Sequence, residues 1–222
     1  SKGIKVIMDI DDLWFVDQRH PMYHQVKASK IGEMKIDMLK AVDYVTTTTT
    51  IFAKTIKDKL HIKNIEIFPN AVNEDEPQFK REPIKSDKIR FGWLGGSSHL
   101  KDIQLLDGTF NKLSQHKDKF EVYLCGFDVR GSVTEINKQT GEQNVRPIKP
   151  EETVWYQYEK VFTNNYQYDT PEYKEFLMKF KEEEYTGGDY VRYNRIWTRP
   201  VTSYAKNYAK FDVSLAPIKN HM

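Results

Sequence analysis

The stretch IRFGWLGGSS, at residues 89–98, decides the fold class of this chain. It begins with an apolar run of the length of a buried strand, and the paired Gly95 and Gly96 predict a tight turn directly after it. A helix is predicted next, because apolar residues recur at helical spacing at Ile103, Leu106, Phe110 and Leu113. A second apolar run at 120–125 predicts another strand. Strand, helix and strand in this order form a βαβ unit, which belongs to a parallel sheet.

The same alternation is present before this stretch. Residues 4–8 predict a buried strand, and the acidic run DIDD at 9–12 follows it at the end where open α/β sheets place ligands. A helix is predicted from apolar residues at helical spacing, namely Ile31, Met34, Met38, Leu39 and Val42. Strands are then predicted at 44–47 and 65–68. The threonine run at 46–50 ends the first of these strands and supplies the N-cap of a helix, whose apolar residues are Phe52, Ile56 and Leu60.

Two stretches interrupt the alternation. The segment 76–88 is polar and contains several Pro, Asp and Glu residues, and we interpret it as a linker between two domains. Residues 128–190 are first polar and then crowded with aromatic residues, and we interpret them as an insertion. A helix is predicted within the insertion, starting at the Thr-Pro pair at 170–171. The α/β pattern then resumes with a helix near 201–209 and a strand at 211–216.

Composition restricts the class of protein. The chain has 34 basic and 32 acidic residues, so its net charge of +2 lacks the basic surplus expected of a nucleic-acid binder. Its single cysteine, Cys125, lies in an apolar run, which argues against a disulfide framework and favours a buried, reduced thiol. No apolar stretch approaches the roughly 18 residues of a membrane span. We expect a cytoplasmic protein whose membrane contact is at most peripheral, at the inner face of the membrane.

The glycine turn is the strongest candidate for a binding site. Glycines let backbone N–H groups approach an anion, and the N-terminus of the following helix adds a partial positive charge, so a diphosphate suits this position. The pattern matches neither the dinucleotide fingerprint nor the phosphate loop, and an ordinary turn or a solvated lysine would explain the same residues. The candidate binding residues are Gly95, Gly96, Ser97, Ser98, His99 and Lys101.

The acidic strand end indicates a different chemistry. Asp9 and Asp11 are spaced to coordinate Mg²⁺, and Asp9 is a candidate nucleophile. An apolar strand that ends in two aspartates two residues apart resembles the first motif of the haloacid dehalogenase-like phosphatases. That family has Thr or Val where this chain has Leu13, and the nearest candidate for its later acidic motif, Asp189, is isolated. Carboxylates that are solvated and cap a turn are the alternative.

Two histidines, His20 and His24, follow the acidic run in a polar loop. Each is a candidate general base or a partner for acceptor hydroxyls. Zinc binding is disfavoured, because the pair lacks the Glu of the metalloprotease helix and no third ligand is evident. Ordinary polar loop residues are the alternative.

Five segments in order resemble the retaining glycosyltransferases of the GT-B class known as group 1 or family 4. VIMDIDDLW at 6–14 resembles a late strand of the family's N-terminal domain, AVDYVTT at 41–47 its next strand, and IFPNAV at 67–72 its crossover between domains. Residues 89–99 resemble the first strand and phosphate-side loop of the donor-binding domain. Residues 204–216 resemble the helix and strand that precede the acidic motif of the donor site.

The resemblance implies a GT-B-like α/β fold with two Rossmann-like parallel-sheet domains. Residues 1–75 would be the last part of the acceptor-side domain, and 89–222 the first part of the donor-binding domain. It further implies transfer of a hexose from a nucleotide-diphosphate sugar to a hydroxyl of a glycan or lipid-linked acceptor, as in polysaccharide biosynthesis, with retained configuration and no obligatory metal or other cofactor. The glycine loop would then lie beside the donor diphosphate, and the acceptor side would be lined by Asp11, Asp12, His20 and His24.

Two departures from the family lead us to expect a partial architecture. Only three residues precede Ile4, where the family has several more βα units, and the chain ends at Met222, before the acidic motif of the donor site. We therefore expect a fragment or a reduced member that is inactive by itself. A third class of function stays open: a carbohydrate-binding module whose aromatic residues in 128–190 stack on sugar rings, although packing against the main body would explain those aromatics equally well.

Overall fold

The computed structural model describes residues 3–16, 18, 22–80, 82–128, 131–163, 171, 183–185 and 192–219. The chain divides into two compact units, Ser1–Asn73 and Glu74–Asn220. Each unit contains a sheet of parallel strands with helices packed against it. The predicted α/β class with parallel sheets is therefore confirmed. No helix in the described part of the chain is long and apolar enough to cross a membrane.

The first unit is a three-stranded parallel sheet with three helices in its described ranges. Its elements are β1 (Ile7–Asp9), α1 (Tyr23–Ala28), α2 (Ile31–Ala41), β2 (Tyr44–Thr47), α3 (Thr50–Leu60) and β3 (Ile65–Ile67). The strand order is β1-β2-β3, with Met8 opposite Val45 and Val45 opposite Ile65. These side chains face a core to which α2 contributes Leu39 and α3 contributes Ile56.

The helix α3 begins as the threonine run predicts. Thr49 has an extended backbone, and its side chain accepts a hydrogen bond from the Phe52 N–H over 3.1 Å. Such an N-cap is worth about 1 kcal/mol, because it satisfies one of the N–H groups that lack a partner in the first turn. The helix ends at His61, whose φ of 59° is left-handed.

The strand β1 is more exposed than the sequence predicts. Ile7 is 63% exposed, and its neighbour Tyr44 on β2 is 42% exposed. Both lie on the sheet face opposite to Val45, and α2 and α3 pack on the Val45 side. An apolar run predicts a strand but does not show whether one or both of its faces are covered.

The second unit is a five-stranded sheet with an added hairpin. Its elements are β4 (Ile89–Leu94), α4 (Leu100–Ile103), α5 (Thr109–Leu113), β5 (Phe120–Phe127), β6 (Ser132–Ile136), β7 (Gln143–Pro147), α6 (Val154–Thr163), β8 (Glu183–Tyr185), β9 (Arg192–Trp197), a 3-10 helix (Tyr204–Lys210) and β10 (Val213–Ser214). The strand order is β10-β4-β5-β9-β8, in which β8 alone among these strands runs antiparallel. The strands β6 and β7 form a separate antiparallel hairpin.

The single helix predicted after β4 is instead broken into short pieces. α4 has four residues and α5 has five, and Gly108 lies between them with a left-handed φ of 73°. Two predicted apolar residues, Ile103 and Phe110, are nevertheless buried. The hydrophobic spacing was therefore predictive of burial, and the Asp107-Gly108 turn interrupts the helix itself. The helix predicted near 201–209 is the 3-10 helix Tyr204–Lys210.

The helix α6 packs in the centre of this unit, although it lies within the stretch that we interpreted as an insertion. It lies in the chain between β5 and β9, and its buried side chains join those of β4, β5, β9 and the helices α4 and α5. The buried core residues are Trp93, Ile103, Phe110, Val122, Leu124, Phe127, Trp155, Tyr158, Val161, Phe162 and Tyr193. The helix predicted from 170–171 onward lies outside the described residues, apart from Pro171.

A buried ion pair connects α6 to β9. Arg195 Nε donates to Glu159 Oε1 over 2.6 Å, and the Tyr193 hydroxyl donates to the same oxygen over 2.9 Å. The guanidinium also lies 4.4 Å from the centre of the Phe127 ring. Burial raises the pKa of the Glu159 carboxyl, and the charge of Arg195 opposes this shift. Removing one partner of such a pair is costly, because the other charge stays buried.

The short strand β10 is held to β4 by one side-chain pair. The Arg90 guanidinium donates to Asp212 through Nε and Nη2, at 3.1 and 2.9 Å, and the Arg90 N–H donates to the same carboxylate over 3.0 Å. Arg90 is buried, so this bidentate pair is only partly screened by solvent. The pair fixes the start of β10 beside the start of β4.

Candidate functional site

A cavity of about 300 Å³ opens in the second unit, where the parallel strands β4, β5 and β9 end. β4 is flanked by β5 on one side and β10 on the other, and this reversal of strand order is where open α/β sheets bind ligands. The volume is at the small end of the range for ligand pockets. The lining residues are Leu94, Gly95, Gly96, Gly126, Thr198, Arg199, Tyr204 and Tyr208.

Two glycines bring the ends of β4 and β5 into direct backbone contact. Gly126 has a φ of 95°, and a Cβ at this position would overlap the carbonyl oxygen of Gly95. The Gly95 N–H in turn donates to the Cys125 carbonyl over 3.4 Å. A Cβ on Gly95 would also overlap the Trp93 ring. Side chains are therefore excluded at Gly95 and Gly126, so backbone atoms line the cavity at these two positions.

Gly96 has the opposite environment. It is exposed, and a Cβ there would meet no atom within 4 Å. The backbone of the loop is thus accessible at Gly96 without any rearrangement of the protein. A ligand can therefore approach the backbone closely at this position.

The loop is held from the core side by Tyr158 of α6. The His99 N–H donates to the Tyr158 hydroxyl over 2.7 Å, and that hydroxyl donates to the Gly96 carbonyl over 3.1 Å. Burial raises the pKa of Tyr158, so the phenol stays neutral and retains the proton that it donates. One side chain of α6 therefore contacts both ends of the loop.

The start of α4 differs from the anion site that the sequence predicts. α4 is only four residues long, so its aligned peptide dipoles are too few to supply the partial charge of a longer helix. The His99 N–H is already bonded to Tyr158. The His99 ring is bonded through Nδ1 to Asp102 over 3.0 Å, and the Lys219 N–H donates to the other oxygen of Asp102 over 2.8 Å. Anion binding here would depend on the loop backbone and on nearby cations.

The predicted loop residues divide into two groups. Gly95 and Gly96 line the cavity. Ser97, Ser98 and His99 are exposed in the loop that follows, and Lys101 is exposed on α4; none of these four is among the residues that line the cavity.

Sequence reasoning missed the cation and the aromatic side chains of the cavity. Arg199 and Thr198 follow β9, and Tyr204 and Tyr208 lie on the 3-10 helix. The only sequence signal was the run WTRP at 197–200. The strand before it lies just after the presumed insertion and carries two arginines and an asparagine, so it has no continuous apolar run. An arginine at the end of a parallel strand would have been a candidate ligand if 192–197 had been recognised as that strand.

The acidic and histidine candidates lie in the first unit. Asp9 ends β1, and one of its carboxylate oxygens accepts a hydrogen bond from Thr46 Oγ1 over 2.5 Å. Asp11 and Asp12 are exposed in the loop after β1, and His24 is exposed on α1. His20 and Asp189 lie outside the described residues. In the described part of the chain, no three His, Cys, Asp or Glu side chains are grouped so that they could hold a metal ion.

The cavity is lined by accessible glycine backbone, one arginine and two tyrosines, among other residues. Backbone N–H groups and arginine bind phosphate oxygens, and phenol rings pack against flat ligand groups and donate hydrogen bonds. The chemistry of the cavity therefore suits an anionic ligand that also carries a ring. No protein-family model matches this chain and no curated protein matches its sequence, so this interpretation rests on the residues themselves.

Proposed function

We propose that this chain is part of a glycosyltransferase that moves a sugar from a nucleotide-diphosphate donor to a hydroxyl of a glycan or lipid-linked acceptor. The observation that carries the proposal is the cavity at the end of β4, where Gly96 is open to a ligand and Arg199 supplies a positive charge. The order of the five segments that resemble the GT-B glycosyltransferases supports it. The second unit would bind the donor, and the first unit would supply the acceptor side.

The residues of the cavity have distinct roles in this proposal. The loop N–H groups and Arg199 bind the diphosphate, and Tyr204 and Tyr208 contact the rest of the donor. In the transfer step the bond between the anomeric carbon and the diphosphate oxygen breaks, and the diphosphate leaves with the bonding electrons. Positive charge held at that oxygen stabilises the transition state, because negative charge develops there. We expect no metal to be required.

The acceptor hydroxyl forms the new bond to the sugar and loses its proton to a base. The candidates for that base are the acceptor-side residues Asp11, Asp12, His20 and His24. We propose retention of the anomeric configuration on the resemblance alone.

Donor binding is tested by thermal-shift titration of the chain with UDP, GDP and ADP, with and without Mg²⁺. A ligand that binds the folded state raises its apparent stability, so one nucleotide should give a metal-independent shift. Gly96→Val should abolish that shift while leaving the unliganded melting temperature unchanged, because a side chain at Gly96 meets open space. Gly131→Val is the matched control, since a Cβ at exposed Gly131 comes no closer than 3.9 Å to Ile148.

The outcomes separate the competing functions. A shift with one nucleotide that persists in Gly131→Val and disappears in Gly96→Val supports the proposal. A Mg²⁺-dependent stabilisation by phosphate analogues that is lost in Asp9→Asn would point to the phosphatase chemistry instead. No shift with any of the three nucleotides would contradict donor binding by this chain.

A further inference from the structure

Tyr158 lies below the glycine loop with its orientation fixed by its neighbours. The residue is fully buried, and its ring meets the Trp93 ring edge-on at 5.3 Å between centres and the Trp155 ring at 5.1 Å. A ring packed between two indoles has little rotational freedom. The position of its hydroxyl is therefore set by the core of the unit.

That hydroxyl joins the two ends of the loop 96–99 through hydrogen bonds. It accepts from the His99 N–H at 2.7 Å and donates to the Gly96 carbonyl at 3.1 Å. Between these two contacts lie Ser97 and Ser98, both exposed. A segment with a glycine and two serines loses much conformational entropy when it is ordered, so a bond at each end restricts it strongly.

The bond to Gly96 also sets the direction of the next donor. The carbonyl oxygen of Gly96 and the N–H of Ser97 belong to the same peptide group, and no described peptide bond is cis. In a trans peptide the C=O and N–H point in opposite directions. Because the Gly96 carbonyl points at Tyr158 in the core, the Ser97 N–H points away from Tyr158 and the core.

We infer that Tyr158 is a positioning residue for phosphate binding: its hydroxyl orders the loop 96–99 and turns the Ser97 N–H away from the core, where a phosphate beside Gly96 can accept from it. The effect on phosphate binding rests on the proposed donor site, whereas the ordering of the loop by Tyr158 does not depend on any ligand. Without this restraint the loop would lose conformational entropy when the diphosphate binds, and the binding free energy would be less favourable by that cost.

The test compares Tyr158→Phe with Tyr193→Phe in the full chain. Tyr158→Phe removes only the hydroxyl and keeps the ring between the two indoles. Tyr193→Phe removes another buried hydroxyl that bonds α6, at Glu159 instead of the loop. Amide hydrogen exchange is measured by NMR, and the affinities for UDP, GDP and ADP are measured by calorimetry.

In Tyr158→Phe the His99 amide should exchange about five- to tenfold faster than in the wild type, because one hydrogen bond of ordinary strength is lost. The affinity for the nucleoside diphosphate that the wild type binds should fall about tenfold. In Tyr193→Phe both quantities should match the wild type, even where the melting temperature is lowered.

Two results would overturn the inference: unchanged His99 exchange in Tyr158→Phe, or an unchanged diphosphate affinity despite faster exchange. Failure of the proposed function is distinct from either. In that case the wild type binds none of the three nucleotides, and the exchange rates alone decide whether Tyr158 orders the loop.

Discussion

The three glycines at the cavity have different structural roles. Gly126 adopts a positive φ and contacts the backbone of Gly95, so both positions require the absence of a side chain for packing. Gly96 is open to solvent, and no contact within the protein requires the absence of a side chain at this position. A glycine that the fold does not need, at the edge of a cavity, is a stronger candidate for ligand contact than one the fold does need.

Alanine substitutions should separate these roles. Gly126→Ala places a side chain at a strained positive φ, where its Cβ would overlap the Gly95 carbonyl oxygen. We expect this variant to lower the free energy of unfolding by about 1–3 kcal/mol. Gly96→Ala should change it by less than about 0.5 kcal/mol. Urea denaturation measures both values. Equal costs for the two variants would contradict the packing of the Gly126 backbone against Gly95.

Arg146 links two carboxylates on the hairpin side of the second unit. Its Nε donates to Glu135 over 2.7 Å, and its other nitrogens donate to both oxygens of Glu152, at 2.7 and 2.8 Å. The hydrogen bonds from Arg146 and from the Lys149 N–H lower the pKa of Glu152 from 4.5 to about 2. The hairpin is thus connected to the 3-10 turn at Pro150–Glu152.

This pKa predicts how the contact depends on pH. Because the carboxyl is more acidic in the folded state than in the unfolded state, its stabilising contribution is present above pH 4.5 and is lost as the pH falls toward about 2. Arg146→Met should return the pKa of Glu152 toward its usual value, which a carbon-detected NMR titration measures. Lys138→Met, in the exposed turn of the same hairpin, is the control, and it should leave the pKa of Glu152 near 2. A Glu152 pKa near 4.5 in the wild type would exclude the contact in solution.

At the scale of single elements, α2 shows why an apolar pattern does not define the buried face. The helix has two apolar stripes. Leu39 is buried and Ile36 is partly buried against the sheet, while Ile31, Met34 and Met38 are between 40% and 58% exposed. The sequence analysis grouped Leu39 with the three exposed residues in one apolar pattern, which correctly predicts a helix but does not show which of these residues are buried. Only the position of β2 and α3 decides which stripe packs.

Truncating one residue on each stripe tests this assignment. Leu39→Ala should lower the free energy of unfolding of the first unit by about 2–5 kcal/mol, because it leaves a cavity in the core. Met38→Ala, on the adjacent exposed position, should cost less than about 1 kcal/mol. Circular dichroism during urea unfolding measures both. A cost for Met38→Ala as large as that for Leu39→Ala would mean that its stripe is covered in solution.

At the scale of the whole molecule, each of the two units has its own main hydrophobic core among the described residues. The core of the first unit is centred on Leu39, Val45 and Ile56, and that of the second on Val122, Leu124 and Tyr158. The connection after Asn73 contains no regular helix or strand in its described residues up to β4. Each core is formed from its own stretch of the sequence.

We therefore expect the two units to unfold in separate transitions. Hydrogen exchange followed by mass spectrometry at increasing urea should show protection lost at one concentration in peptides before Asn73 and at another in peptides after Glu74. Leu39→Ala should shift only the first transition. A single transition for both sets of peptides, shifted as a whole by Leu39→Ala, would show that the units unfold together.

Much of the element order was predictable because it depends on local patterns. The strands β2, β4 and β5 and the N-cap at Thr49 follow from apolar runs and from the side-chain chemistry of threonine. The central position of α6 was not predictable, since its aromatic residues lie in a polar and irregular stretch. Of the cavity residues, only the glycines carried a local signal. Arg199, Tyr204 and Tyr208 come from segments about 100 residues further along the chain.

The sequence by itself determined that this is an α/β chain with parallel strands, with a glycine turn after one of them. Those properties depend on residues close together in the chain, where hydrophobic period and turn chemistry act directly. Only the tertiary structure decided that a cation and two phenols meet that turn and that Tyr158 bonds both ends of its loop. Such contacts depend on strand order and on helix packing across long separations, and no local pattern encodes them.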